Sequence, residues 1–120
     1  MAVVNRTPDS FFDRGATFAF QAALDAASRL IGEGADIIDI GGVKAGPGDP
    51  VGPAEEIDRV AGLVAAVRER HPDVIISVDT WRSEVAEVVA EAGADLINDT
   101  WGGVDPALPE VAAEHGLGLV

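Results

Sequence analysis

The chain has 120 residues, with 8 Lys and Arg against 21 Asp and Glu and a formal net charge of −13 at pH 7. Nucleic acids and anionic membrane surfaces bind proteins through clustered basic residues, so this charge argues against both as partners. Hydrophobic residues make up 48% of the chain and the mean hydropathy is +0.20, which is enough apolar material for a folded core.

The sequence contains no Cys, so disulfides, thiolate metal sites and cysteine nucleophiles within the chain are excluded. No run approaches the roughly 18 consecutive apolar residues of a membrane helix. No signal-like segment follows Met1. We therefore expect a cytoplasmic protein without a membrane partner.

Short apolar runs alternate along the chain with stretches of helical periodicity. Strands are predicted at residues 2–4, 35–40, 74–78, 94–97 and 117–120. Helices are predicted around Phe20–Ile31, from Pro53 to His71, around Val85–Ala92 and at Pro109–Glu114. Proline at a helix start and Gly93 at a helix end are the expected boundary signals. The predicted order is βαβαβαβαβ.

Strict alternation with apolar strands predicts a parallel α/β sheet with right-handed crossovers. A doubly wound sheet is expected to carry a phosphate loop of the form G-x-G-x-x-G or G-x-x-x-x-G-K-[ST] after its first strand, and neither is present. A (β/α)₈ TIM barrel is therefore favoured. Such a barrel needs about 250 residues, so residues 1–120 are expected to form one partial barrel, from the first strand to the start of the fifth.

Polar residues recur where the predicted strands end. They are Asn5, Asp39, Asp79, and Asn98 with Asp99. Parallel strands align their carboxyl ends, so these side chains are expected to converge on one mouth, where barrel enzymes hold their active sites. The alternative is that they cap turns and helix starts, but their occurrence at four successive strands favours a site. An acidic rim of this kind suits a cation, Mg²⁺ or the hydrogen-bonding edge of a heterocycle.

Four segments in order resemble the dihydropteroate synthase family. They are Asn5–Phe11, Gly34–Gly42, Ile76–Thr80, and Ile97–Asp99 followed by Gly102 and Gly103. The resemblance implies a (β/α)₈ barrel transferase of folate biosynthesis, which joins dihydropterin pyrophosphate to p-aminobenzoate and releases pyrophosphate with Mg²⁺. It also implies a homodimer for the full-length protein. The family's later motifs would lie beyond Val120, so the chain by itself is not expected to be active.

The resemblance also implies roles for individual residues. Asn5 would be a ligand of Mg²⁺ and pyrophosphate, and Asp13 would belong to a mobile loop that closes over the reacting centre. Asp79 and Asn98 would hydrogen bond the pterin ring. These roles are chemically reasonable, because a carboxylate and a carboxamide complement the donors and acceptors of an aminopyrimidinone edge.

One loop departs from the family pattern. After Gly42 the family continues Glu-Ser-Thr-Arg-Pro-Gly, whereas this chain continues from Val43 through Lys44, Ala45 and Gly46. The Thr and Arg are absent, and the ammonium of Lys44 cannot reproduce the bidentate fork of Arg. Two alternatives to a synthase therefore stand. One is a divergent paralogue that binds pterin without synthase activity, and the other is a pterin-dependent methyltransferase module.

Overall fold

A computed structural model describes residues 1–5, 13–42 and 52–120, and the side chains of residues 1–4, 20–42 and 52–120 among them. The elements are β1 (Ala2–Asn5), α1 (Asp13–Gly32), β2 (Ile37–Gly41), α2 (Pro53–Arg70), β3 (Ile75–Asp79), α3 (Ser83–Ala92), β4 (Leu96–Asn98), α4 (Leu108–His115) and β5 (Gly118–Leu119). The order of elements matches the one predicted from periodicity.

The strands form one sheet in the order β1-β2-β3-β4-β5, and every pairing is parallel. When each strand lies beside the one before it, right-handed crossovers place all the helices on the same face of the sheet. A doubly wound sheet instead reverses its strand order and has helices on both faces. The sequential order is that of a barrel wall, as predicted.

The helix-covered face of the sheet forms the core. In β2 and β3 the fully buried residues Ile38, Ile40, Ile76 and Val78 alternate with residues of the opposite face, such as Ile75, which is 42% exposed. The helices contribute apolar stripes at helical spacing. These include Ala23, Leu24 and Ala27 of α1, Val60, Leu63, Val64 and Val67 of α2, and Val85, Ala86 and Val89 of α3.

The helix boundaries follow the chemistry expected of them. In α2, Pro53 lies at the start, acidic residues occupy the first turn, and Arg68 and Arg70 occupy the last turn, where their charges favour the helix dipole. The C-cap of α3 is Gly93, with a φ of 118°. A Cβ atom there would lie 2.8 Å from Cγ of Arg68, so both backbone conformation and space require glycine.

The strand boundaries differ from the prediction in one respect that matters for the site. β2 runs on to Gly41 and β3 includes Asp79, whereas the sequence suggested that each strand stops with its apolar run. A polar side chain on the uncovered face does not interrupt the backbone ladder, so the strand continues through it. Asp39 therefore lies inside β2 rather than at its end, which corrects its predicted position on the rim.

No helix in the described part of the chain is long and apolar enough to cross a membrane.

Candidate functional site

The strand register arranges the polar residues in two rows on the sheet face that the helices leave uncovered. In the row nearest the carboxyl ends, Asn5 pairs with Gly41, Gly41 with Asp79, and Asp79 with Asn98. The deeper row contains Val3, Asp39, Ser77 and Leu96. Of the predicted residues, the structure thus brings Asp79 and Asn98 side by side and places Asp39 one layer below them.

Asp39 links the deeper row to Asn98. It is 4% exposed, and its Oδ1 accepts a 2.6 Å hydrogen bond from the hydroxyl of the fully buried Ser77. Its Oδ2 lies 3.5 Å from Nδ2 of Asn98. This contact points the nitrogen of the Asn98 carboxamide toward Asp39, so a buried carboxylate orients the amide that was predicted to face the ligand.

Asp79 is a half-buried carboxylate in acidic surroundings. Its Oδ1 accepts a 3.2 Å hydrogen bond from the hydroxyl of Thr100. Burial raises the pKa of Asp79 above its ordinary value, the Thr100 bond opposes this, and the nearby carboxylates of Asp39 and Asp99 raise the pKa further. A ligand edge that offers N–H donors or positive charge would relieve this repulsion.

Asp99 serves the loop that follows β4. Its Oδ1 accepts the backbone N–H of Trp101 and its Oδ2 accepts that of Gly103, both at 2.9 Å. Gly102 and Gly103 have positive φ values of 79° and 83°, which glycine adopts readily. The turn-capping interpretation therefore fits Asp99 better than a ligand role, and the loop carries Trp101, 47% exposed, beside the site.

A buried ion pair lies next to Asp79. Glu56 in the first turn of α2 is 1% exposed, and its Oε1 is 3.0 Å from Nη1 of Arg82. Burial raises the pKa of Glu56, against the lowering effects of a hydrogen bond from Thr80 and of the Arg82 charge. No role in the site was predicted for Glu56 from the sequence. Glu56 lies four residues before Val60 and seven before Leu63, which both face inward. This helical spacing could have shown that Glu56 is buried as well.

The described arginines at this end of the sheet are both paired with glutamates. Arg59 binds the carbonyl oxygen of Gly42 and Oε1 of Glu55, each at 2.8 Å. Arg82 pairs with Glu56 and also lies with its guanidinium carbon 4.6 Å from the ring centroid of Trp81. Each of these arginines thus already has a glutamate partner.

Several predicted residues fall partly or wholly outside the described part. Asn5 ends β1 and Asp13 begins α1, but their side chains lie outside the described residues, as do Lys44 and its neighbours. Among the described side chains, no group of three or more His, Asp or Glu is arranged to hold a metal ion. The role of Asn5 as a Mg²⁺ ligand stays a prediction, because its side chain lies outside the described residues.

The fold and the site together describe one wall of a β/α barrel whose mouth carries hydrogen-bonding acids and amides. The family model of the pterin binding enzymes matches residues 1–120. The chain therefore belongs to that family, and the relatives that it resembles are dihydropteroate synthases.

Three comparisons define this relationship. The chain is 62% identical over 120 residues to the inactive dihydropteroate synthase 2 of Mycobacterium tuberculosis, covering 100% of this chain and 38% of that protein. It is 42% identical over 122 residues to the dihydropteroate synthase of Streptococcus pyogenes serotype M1, covering 100% of this chain and 46% of that protein. The structure of dihydropteroate synthase from Anaplasma phagocytophilum with bound 6-hydroxymethylpterin-monophosphate matches with a TM-score of 0.90 and 34% identity, covering 98% of this chain and 46% of that one.

The chain thus spans less than half the length of these relatives. Its five-stranded parallel sheet matches the amino-terminal part of the synthase barrel.

Proposed function

We propose that this chain supplies the pterin-reading wall of a dihydropteroate synthase-like barrel. The observation that carries the proposal is the placement of Asp79 and Asn98 side by side at the mouth, with Asp39 buried beneath them. A carboxylate accepts N–H donors and a carboxamide both donates and accepts, so the pair complements the aminopyrimidinone edge of a pterin. The raised pKa of Asp79 fits a site that a donor-rich ring edge stabilises.

We infer further that the protein binds pterin without efficient synthase turnover. The 62% identical relative is named inactive. The family's Thr and Arg are replaced by Ala45 and Gly46, and Arg59 and Arg82 are paired with glutamates. Release of pyrophosphate needs cations that balance the charge building up on the leaving group. The acidic residues proposed to bind the ring are thus present, whereas the chain has fewer cations to bind the phosphates.

Synthase turnover is the second candidate. Asp79 and Asn98 are both present, and the 42% identical relative is named as a synthase without qualification. In this candidate the chain belongs to a transferase that joins dihydropterin pyrophosphate to p-aminobenzoate. The amine nitrogen forms a bond to the pterin methylene carbon, the bond from that carbon to the pyrophosphate oxygen breaks, and the nitrogen loses one proton to solvent. Carboxylates near the mouth would stabilise positive character on the methylene.

Two roles rest on the resemblance alone. Asn5 would hold Mg²⁺ through its side-chain oxygen, a ligand type that suits this ion, and its backbone position opposite Gly41 puts it at the mouth. The ion, when bound, would neutralise charge on the pyrophosphate. Asp13, the first residue of α1, would act where that helix joins the loop expected to close over the reacting centre. The cytoplasmic location and the homodimer likewise stay predictions.

The test compares pterin binding with turnover in the intact protein that carries this chain. Calorimetry with 6-hydroxymethylpterin is expected to show binding that Asp79→Ala weakens by tenfold or more. The reason is that hydrogen bonds to a charged group contribute about 1.5–3 kcal/mol each and about 1.4 kcal/mol corresponds to tenfold. Asp73→Ala, at an exposed site before β3, is the matched control and is expected to bind normally.

Pyrophosphate release from dihydropterin pyrophosphate and p-aminobenzoate, measured with Mg²⁺, separates the two candidates. Binding without release supports the proposal. Release that Asp79→Ala abolishes establishes the synthase instead. Absence of pterin binding by the folded, unaltered protein, or equal binding by Asp79→Ala, would refute both.

A further inference from the structure

Burial makes Glu56 and Arg82 an unusual pair. Glu56 is 1% exposed, and the Arg82 side chain is 15% exposed. Each buried charge loses its hydration, and apolar residues of similar volume in place of such a pair are often neutral or stabilising. Stability alone therefore does not account for an ion pair at this position.

Thr80 connects the pair to the end of β3. The Thr80 hydroxyl, on a residue that is 2% exposed, donates a hydrogen bond to the Glu56 carboxylate. The same hydroxyl oxygen accepts the backbone N–H of Arg82 at 3.2 Å. Thr80 directly follows Asp79, so Glu56 contacts the segment after Asp79 at two points, through the Thr80 hydroxyl and through the Arg82 guanidinium.

The helix that carries Glu56 is firmly packed against the core. Glu56 belongs to the first turn of α2, and the next turns of that helix bury Val60, Leu63 and Val64 completely against the core. A side chain mounted on such an element holds its position better than one on a loop.

We propose that Glu56 and Arg82 are positioning residues that fix the end of β3 and thereby set the direction in which Asp79 presents its carboxylate to the pterin ring. This inference rests on the proposed pterin binding. Glu56 has no direct contact with the ligand in this scheme and acts through Thr80 and Arg82.

The experiment replaces the pair by apolar residues of similar size, Glu56→Leu with Arg82→Met, in the intact protein. The double variant is expected to keep its urea midpoint, because the two charges disappear together. Its affinity for 6-hydroxymethylpterin is expected to fall by about tenfold or more, as happens when groups that orient a ligating side chain are removed. Glu84→Gln is the control, because Glu84 is an exposed acid in the first turn of α3.

A second readout does not depend on pterin. Protection of the backbone amide of residue 82 against hydrogen exchange, which comes from its bond to Thr80 in the native protein, is expected to fall in the double variant and to stay unchanged in Glu84→Gln. Unchanged pterin affinity in a stable double variant, or unchanged protection of the residue 82 amide, would overturn the inference. Absence of pterin binding by the unaltered protein would overturn the proposed function instead, and lower protection of the residue 82 amide would still support the ordering of the β3 end by Glu56.

If the double variant also loses stability, the Glu56→Gln variant is used to test the inference. Its amide oxygen can still accept the Thr80 bond, so it is expected to restore both Arg82 protection and most of the pterin affinity. A Glu56→Gln variant that binds as poorly as the double variant would contradict action through Thr80.

Discussion

Replacement of Arg68 by alanine is expected to cause a large loss of stability without touching the site. Arg68 lies at the opposite end of the sheet, and its side chain is 24% exposed. Its Nε and Nη2 bind the carbonyl oxygen of Gly93 at 3.1 and 2.9 Å. Its Nη1 binds the carbonyl oxygens of Pro72 and Val74, each at 2.8 Å. It also forms an ion pair with Asp95, so one guanidinium joins the ends of α2 and α3 to the starts of β3 and β4.

The magnitude follows from those contacts. A hydrogen bond to a charged group contributes about 1.5–3 kcal/mol, and Arg68→Ala removes the donor from four backbone carbonyls, those of His71, Pro72, Val74 and Gly93. Water replaces part of this loss because the side chain is not fully buried, and the exposed ion pair adds at most about 1 kcal/mol. We expect a decrease in the free energy of unfolding of about 2–4 kcal/mol. The loss for Arg68→Lys should be smaller than that for Arg68→Ala but still measurable, since an ammonium cannot span the same carbonyls.

Urea unfolding of the intact protein, followed by circular dichroism, measures this difference. The control is Arg70→Ala, since Arg70 is 50% exposed and lies 3.8 Å from Asp25, itself 64% exposed. We expect that control to change stability by less than about 0.5 kcal/mol. Equal midpoints for the two variants would refute the reasoning that Arg68 holds the helix ends together.

Two further predictions concern a backbone position and a charge. Gly93→Ala places a Cβ atom 2.8 Å from Cγ of Arg68 at a φ of 118°, whereas the Cβ atom of Gly34→Ala, at a φ of 108°, meets nothing within 4 Å. The urea midpoint should therefore fall more for Gly93→Ala than for Gly34→Ala. Equal losses would argue against the steric contact. The raised pKa of Asp79 means that the folded state binds its proton more tightly than the unfolded state, so this group lowers stability as pH rises above its ordinary value of 3.8. Asp79→Asn should therefore stabilise the protein more at pH 7 than at pH 3.5, and a pH-independent effect would contradict this.

Helix boundaries were predicted closely where they carry chemical signals, whereas α1 begins at Asp13, seven residues before the predicted Phe20. Pro53 begins α2 and Gly93 caps α3, as expected. Strand ends carry no such signal when polar residues continue the backbone hydrogen bonds between strands. The prediction ended β2 and β3 at the last apolar residue, whereas Gly41 and Asp79 still pair within the sheet. Because β2 continues past Asp39 to Gly41, Asp39 lies in the deeper row and not on the predicted rim.

The candidate site was predictable only where polar residues interrupt apolar strands. That pattern identified Asp79 and Asn98, which the register places side by side. It did not identify Ser77, because a serine within a strand is unremarkable until its bond to Asp39 is seen. It also missed Glu56, whose partner Arg82 lies 26 residues away in the sequence. Contacts between distant elements depend on packing that local patterns do not encode.

Recognition of the pterin ring and release of the phosphates make opposite demands on the mouth of the barrel. Under the proposed function, ring recognition would use acceptors such as Asp79 and Asn98, which are neighbours in the sheet register, with Asp39 in contact with Asn98. Phosphate release needs available positive charge, and the described arginines at this end, Arg59 and Arg82, are already paired with glutamates. Because different residues meet the two demands, one can be lost while the other is kept. A protein of this family can therefore retain the ring-binding wall after its synthase chemistry has weakened, which is why binding and turnover have to be measured separately.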